Sequence, residues 1–258
     1  MSNPHAVNAN ISVVENYLHR AGVDMPSTYL EATERAGQLA AMATPPTRAD
    51  VARAVSDALA DGKDPAKSAT VKDMLTRIDL AAPDIASHLA TEAVAIRLEA
   101  LTNSADEIVA SLVPIVEDCD ARIQAASARG IKDFTEVHSS RPGDMQALGE
   151  AKQALATLGD IVTAYKHLAL ATGLAKLSPE NDVLILAGPH KDEAHPGKHD
   201  ALIPAQQARP LSLATFAEYT ERRKARLELR DTLAKKYEAE QERVNRQAYA
   251  SSPGSYRA

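Results

Sequence analysis

Residues 94–119 read VAIRLEALTNSADEIVASLVPIVEDC, and their spacing decides the fold. Val94, Leu98, Leu101, Ala105, Ile108, Leu112, Ile115 and Cys119 recur at alternating steps of four and three, a seam of three heptads with no polar interruption. That period belongs to an α-helix packed along one stripe; a strand would alternate every second residue. Past Cys119 the pattern predicts continued helix through Ile123, Ala126, Gly130, Phe134 and Val137, with one added four-residue step, a stutter that locally unwinds a coiled coil.

A single helix over 83–139 would run roughly 85 Å at ~1.5 Å per residue, against a radius of gyration of ~18 Å for a compact chain of this length. The helix must therefore break or the molecule must be elongated. Pro114 is the expected break, because it removes the bond to the Ala110 carbonyl and crowds that turn.

Arg141-Pro-Gly-Asp144 then predicts a sharp turn, and a second seam follows at Leu148, Ala151, Leu155, Leu158, Val162, Tyr165, Ala169 and Thr172. Two long helices joined by a short turn should fold back as an antiparallel hairpin. The second helix, 144–176, is too short to reach the start of the first seam. Val94, Leu98, Leu101 and Ile108 must then be covered by N-terminal helices or by another copy of the chain, which makes them the expected self-association residues.

Upstream, residues 1–80 read as a cluster of short helices. Asn10 opens a stretch with Ile11, Val14 and Leu18 that stops at Gly22; Ser27 opens the next, which ends before Pro45-Pro46. Thr47 with Asp50 has the spacing of a capping box, Asp61-Gly62 closes that helix, and Val71, Leu75 and Ile78 mark a fourth. Downstream of the hairpin (81–177) lies a Pro/Gly/His-rich connector, 178–211. Within it Ser178-Pro-Glu-Asn-Asp reads as a helix start, with Val183 to Leu186 as helix unless a partner offers a strand edge. The final segment, 212–258, predicts a polar helix from Ser212 to about Tyr249 with a narrow stripe (Leu213, Phe216, Leu227, Ala234, Tyr237, Val244, Ala248) and a tail disordered in isolation.

Composition agrees with this all-α reading. Of 258 residues 49 are alanine, the best helix former, whereas there is no Trp and only nine residues are Phe or Tyr, so an all-β fold is excluded. One cysteine, Cys119, excludes an intrachain disulfide framework and any multi-cysteine metal site. The N-terminus carries neither a basic nor an apolar signal region, and no apolar run approaches the ~20 residues of a membrane span. A soluble chain is expected, not secreted by a signal peptide and without membrane contact, working in cytoplasm or within a virus particle.

Net charge is −6, unevenly spread: residues 209–258 hold 11 Lys and Arg against 7 Asp and Glu, net +4, which leaves −10 for the first 208. Such polarity concerns partners more than chemistry. Arg222, Arg226 and Arg230 recur every fourth residue, with Arg223 beside them. Phe216 and Tyr219 lie just upstream, and aromatics with arginine are what contact surfaces use. These six are the expected partner-docking residues.

Catalytic motifs are missing. The run from Val183 into Gly188 and Gly197-Lys198 lacks the spacing and hydroxyl of a phosphate loop. His190, His195 and His199 are weak metal candidates in a solvated loop, with Pro196 and Gly197 keeping the last two off adjacent turns of one helix. Cys119 lies in an apolar seam, where a thiol is inert. No catalytic residue and no cofactor are expected.

The expected function is therefore a non-enzymatic helical structural or assembly protein that self-associates, as a homo-oligomer or larger assembly, and docks a protein partner through its basic C-terminal helix. In composition alone the chain resembles the helical scaffolding, core or connector proteins of bacteriophage particles. One alternative is a nucleic-acid-associated protein using the Arg222, Arg223, Arg226 and Arg230 ridge. A second is an enzyme with its site in the hairpin groove near His167 or in the His190–His199 loop.

Overall fold

The computed structural model describes residues 4–42, 44–131, 134, 142–190 and 200–251. Among these residues every regular element is helical. In chain order they are α1 (Pro4–Arg20), α2 (Ser27–Met42), α3 (Arg48–Ala60), α4 (Ala69–Leu80), α5 (Pro83–Asn103), α6 (Ala105–Ala128), α7 (Pro142–Thr172), α8 (Ile203–Gln206) and α9 (Phe216–Ser251). Single 3-10 segments add Pro65–Lys67 and Pro179–Ile185. The chain divides into two compact units, 1–108 with 163–174 and 109–162 with 175–258.

In the first unit the expected stops and starts are in place. Gly22 and Gly62 close α1 and α3 with positive φ, and the amides of Val23 and Lys63 reach back to the carbonyls of Leu18 and Ala58. Thr47 and Asp50 form the reciprocal capping box at the head of α3. Val71 faces inward on α4, whereas Leu75 and Ile78 are exposed, so the spacing located that helix but misjudged its buried side.

The long first helix breaks, but not at Pro114. Pro114 lies inside continuous α6, and the interruption falls at Ser104, whose amide bonds the carbonyls of Ala100 and Thr102. Proline costs a helix one hydrogen bond, which a helix packed along its length tolerates. Nor does the helix run to 139. It stops at Ala128, where Gly130 takes φ 82 and Ile131 donates to the Ala126 carbonyl, the Schellman closure that only glycine enters without strain. Val137 and the rest of 135–141 lie outside the described residues.

The covering of the seam is also settled within this unit. α2 packs along α5, α1 packs beside it, and Leu101 and Ile108 are 0% and 1% exposed, with Val94 and Leu98 half-buried. Of the two expected covers, the N-terminal helices α1 and α2 lie along α5, which carries Val94, Leu98 and Leu101. A polar cluster pins the three helices. Arg97 of α5 bonds Asn8 (2.5 Å) and Glu15 (2.8 Å) of α1, and Tyr29 of α2 donates to the same Glu15 oxygen at 2.5 Å.

In the second unit α6 buries Val109, Leu112, Val116, Cys119, Ile123 and Ala126, again three and four apart. Arg129 at the end of α6 pairs with Asp144 at the start of α7 at 3.8 Å, which brings these two helix ends together; most of the expected turn lies outside the described residues. Within 142–162, α7 buries Ala147, Leu148, Ala151, Ala154, Leu158, Ile161 and Val162, a wider face than one stripe. The segment Pro179–Ile185 forms as a helix and not a strand, with Pro179 in its first turn, and Val183 to Leu186 are completely buried.

Candidate interaction element

α9 begins with a device absent from the expected element. Thr215 and Glu218 form a second capping box: the Glu218 amide donates to Thr215 Oγ1 (3.1 Å) and the Thr215 amide to Glu218 Oε2 (2.8 Å). The T-x-x-E spacing was legible in Thr215-Phe-Ala-Glu218 and starts the helix at Phe216, four residues after the expected Ser212. The strand-like stretch before it docks through the Ser212 and Ala214 amides onto the carbonyls of Leu186 and Ile185.

The six expected docking residues are then distributed unevenly. Phe216 and Tyr219 are buried at 5% and 1% exposure, and burial raises the Tyr219 phenol above its ordinary pKa. Arg226 is 4% exposed and donates to the Glu180 carbonyl and, at 3.2 Å, to Asn181 Oδ1. Arg222 donates to the carbonyls of Leu184 (3.1 Å) and Ser212 (2.9 Å) and to Ser212 Oγ (2.9 Å). Arg223 and Arg230 are half-buried. The ridge is therefore not an open row of cations. A 3-10 segment leaves carbonyls that its own backbone does not satisfy, and the guanidinium groups of Arg222 and Arg226 occupy two of them, at Leu184 and Glu180.

The face that α9 buries does not end where its cover ends. Phe216, Tyr219, Arg223, Arg226, Arg230, Leu233, Tyr237, Glu240 and Val244 alternate in steps of three and four, so they form one continuous stripe. Burial along it fades from Phe216 to a half-buried Leu233, then Tyr237 is 67% and Val244 46% exposed. From Ala234 to Arg246 every residue is exposed. The only described local ties there are ion pairs within the helix, Glu240–Arg243 at 2.6 Å and Glu242–Arg246 at 3.2 Å.

His167 Nδ1 lies 2.9 Å from Asn10 Oδ1, and Asp118 pairs with Arg122 at 2.7 Å. Burial pushes the Cys119 thiol up to about 11, which keeps it protonated and unreactive. His190 is half-buried, while His195 and His199 lie outside the described residues; among the described residues no His, Cys, Asp and Glu cluster is placed to hold a metal. No helix among them is long and apolar enough to cross a membrane. A groove of about 370 Å³ runs between α2 and α5, with Arg35, Glu99 and Asn103 on its rim and Ser104 in its floor. Comparison with protein-family models, with curated proteins and with solved structures finds no match.

Proposed function

We propose that the chain is a non-enzymatic helical assembly protein whose contact element is the exposed second half of α9. The observation that carries this reading is the stripe on α9, which packs against its own unit as far as Leu233 and continues uncovered through Tyr237 and Val244. A solvated helix needs no aromatic at Tyr237; a helix that meets a second surface does, because Tyr adds apolar area with a polar tip at low entropic cost. Arg222 and Arg226 act one step back, fixing the direction in which the exposed half leaves the unit. Assembly into a phage or virus-like particle is the larger setting that the alanine-rich, aromatic-poor composition suggests.

The test is retention of partners by the full-length tagged chain against the Tyr237→Glu, Val244→Glu double variant, with helicity checked by circular dichroism. Loss of the retained species at unchanged helicity is the expected result. Identical retention by both chains overturns the reading.

A further inference from the structure

We propose that the groove between α2 and α5 binds a free α-amino acid with an uncharged polar side chain. It lies within the first unit and is independent of the reading of α9. Thr28 Oγ1 meets Ser104 Oγ at 3.4 Å, where α2 starts and α5 stops, so the two helices run antiparallel along the groove. Seven residues on from Thr28, Arg35 therefore comes level with about residue 97. Glu99 on the other wall is two residues from that level, about 3 Å along the axis at ~1.5 Å per residue. Both side chains are exposed at the groove, and neither has an ion-pair partner among the described residues. A carboxylate alone would meet Glu99, and a cation alone would meet Arg35. An α-amino acid carries both charges on one carbon and offers each wall its opposite, with the carboxylate on the Arg35 guanidinium and the ammonium on Glu99.

The other end of the groove selects the side chain. The Ser104 carbonyl accepts the Ile108 amide at 2.9 Å, the first bond of α6, and Ser104 precedes Glu107 by three residues, the spacing of a capping box. Yet the box does not form. Ser104 has φ −93 and ψ 0, outside the extended region of a capping residue, and its hydroxyl lies in the groove beside Thr28. Ser104 is 4% exposed, and 3.4 Å is long for a bond between hydroxyls, so a buried donor and acceptor has capacity left over. With the Asn103 amide at the same end, these groups suit a polar, uncharged tip, and Ala32, Ile96 and Ala100 line the stretch between. The volume of about 370 Å³ lies within the ~300–1,000 Å³ of small-molecule sites. A ligand of so few atoms in an open groove binds weakly, with a dissociation constant of about 0.1–1 mM.

The full chain is titrated with L-serine, L-threonine, L-asparagine and L-glutamine to about 10 mM, well above those constants, and binding is read from amide chemical shifts. At least one of the four should saturate, with the largest shifts in 28–35 and 96–104. Its N-acetyl form, which lacks the ammonium, and its carboxamide form, which lacks the carboxylate, should each bind about tenfold more weakly. Arg35→Gln and Glu99→Gln alter exposed side chains and leave helicity unchanged, and each should weaken the free amino acid by a similar factor. In Arg35→Gln the amino acid and its carboxamide should then bind alike, because the carboxylate has lost its partner. Saturation by none of the four overturns the proposal. So does binding that the blocked forms match in the unmodified chain, or that both variants leave unchanged, since the two charges would then not be what the groove reads.

Discussion

Arg226 shows how one residue changes meaning between a sequence and a fold. On a helical wheel it is a cation among cations; in the structure it is buried with its guanidinium on the Glu180 carbonyl and Asn181. Arg226→Ala leaves those acceptors without donors and should cost about 2–3 kcal/mol, read as a lower urea midpoint. An unchanged midpoint would contradict the latch. Tyr29 sets the alkaline limit in the same way: burial, then the Glu15 carboxylate, push its phenol from 10.0 up to about 12. Its folded pKa is raised, so the stabilisation is whole below pH 10 and is lost as pH climbs toward 12; Cys119, raised from 9.0 to about 11, adds a loss that begins near pH 9. Denaturation midpoints measured from pH 8 to 11 should fall, and Tyr29→Phe should flatten the steeper upper part of that fall. On the acid side, burial and then the Lys166 charge lower the His167 pKa, so stability declines as pH drops below 6.5.

At the scale of elements, local chemistry was readable and packing partners were not. Caps and stops at Thr47, Gly22, Gly62 and Pro83 follow from side-chain hydrogen bonding and backbone freedom within a few residues, so they appear in the sequence directly. Pro114 and Gly130 were weighed the wrong way round: α6 runs through the proline and ends at the glycine. A proline's missing bond is a fixed local cost that tertiary packing offsets, while a positive φ is a geometry that a side chain with a Cβ resists. Gly130→Ala should therefore destabilise by about 1 kcal/mol, and Pro114→Ala should stabilise by about 1–3 kcal/mol as the Ala110 carbonyl regains a donor. Thermal melts of the two variants moving in the same direction would refute this assignment. The Asn8–Glu15–Tyr29–Arg97 cluster had no signal in the sequence, because its four members lie on three helices and no local spacing joins them.

For the whole molecule, the seam that opened the sequence reading was right about helix and wrong about what it offers. Leu101 and Ile108 are spent on the chain's own core, whereas Tyr237 and Val244 on α9 are among the large apolar residues left exposed. Burial, not periodicity, separates the two uses of one pattern. The claim that the exposed half of α9 is an unfilled contact face is tested most directly by amide hydrogen exchange on the chain alone and on the chain with the species it retains. Amides of 216–230 should be protected equally in both, while those of 234–246 should exchange fast in the chain alone and slow markedly in the complex. Exchange across 234–246 that is fast and identical in both, or slowing that appears on another helix instead, would contradict the account.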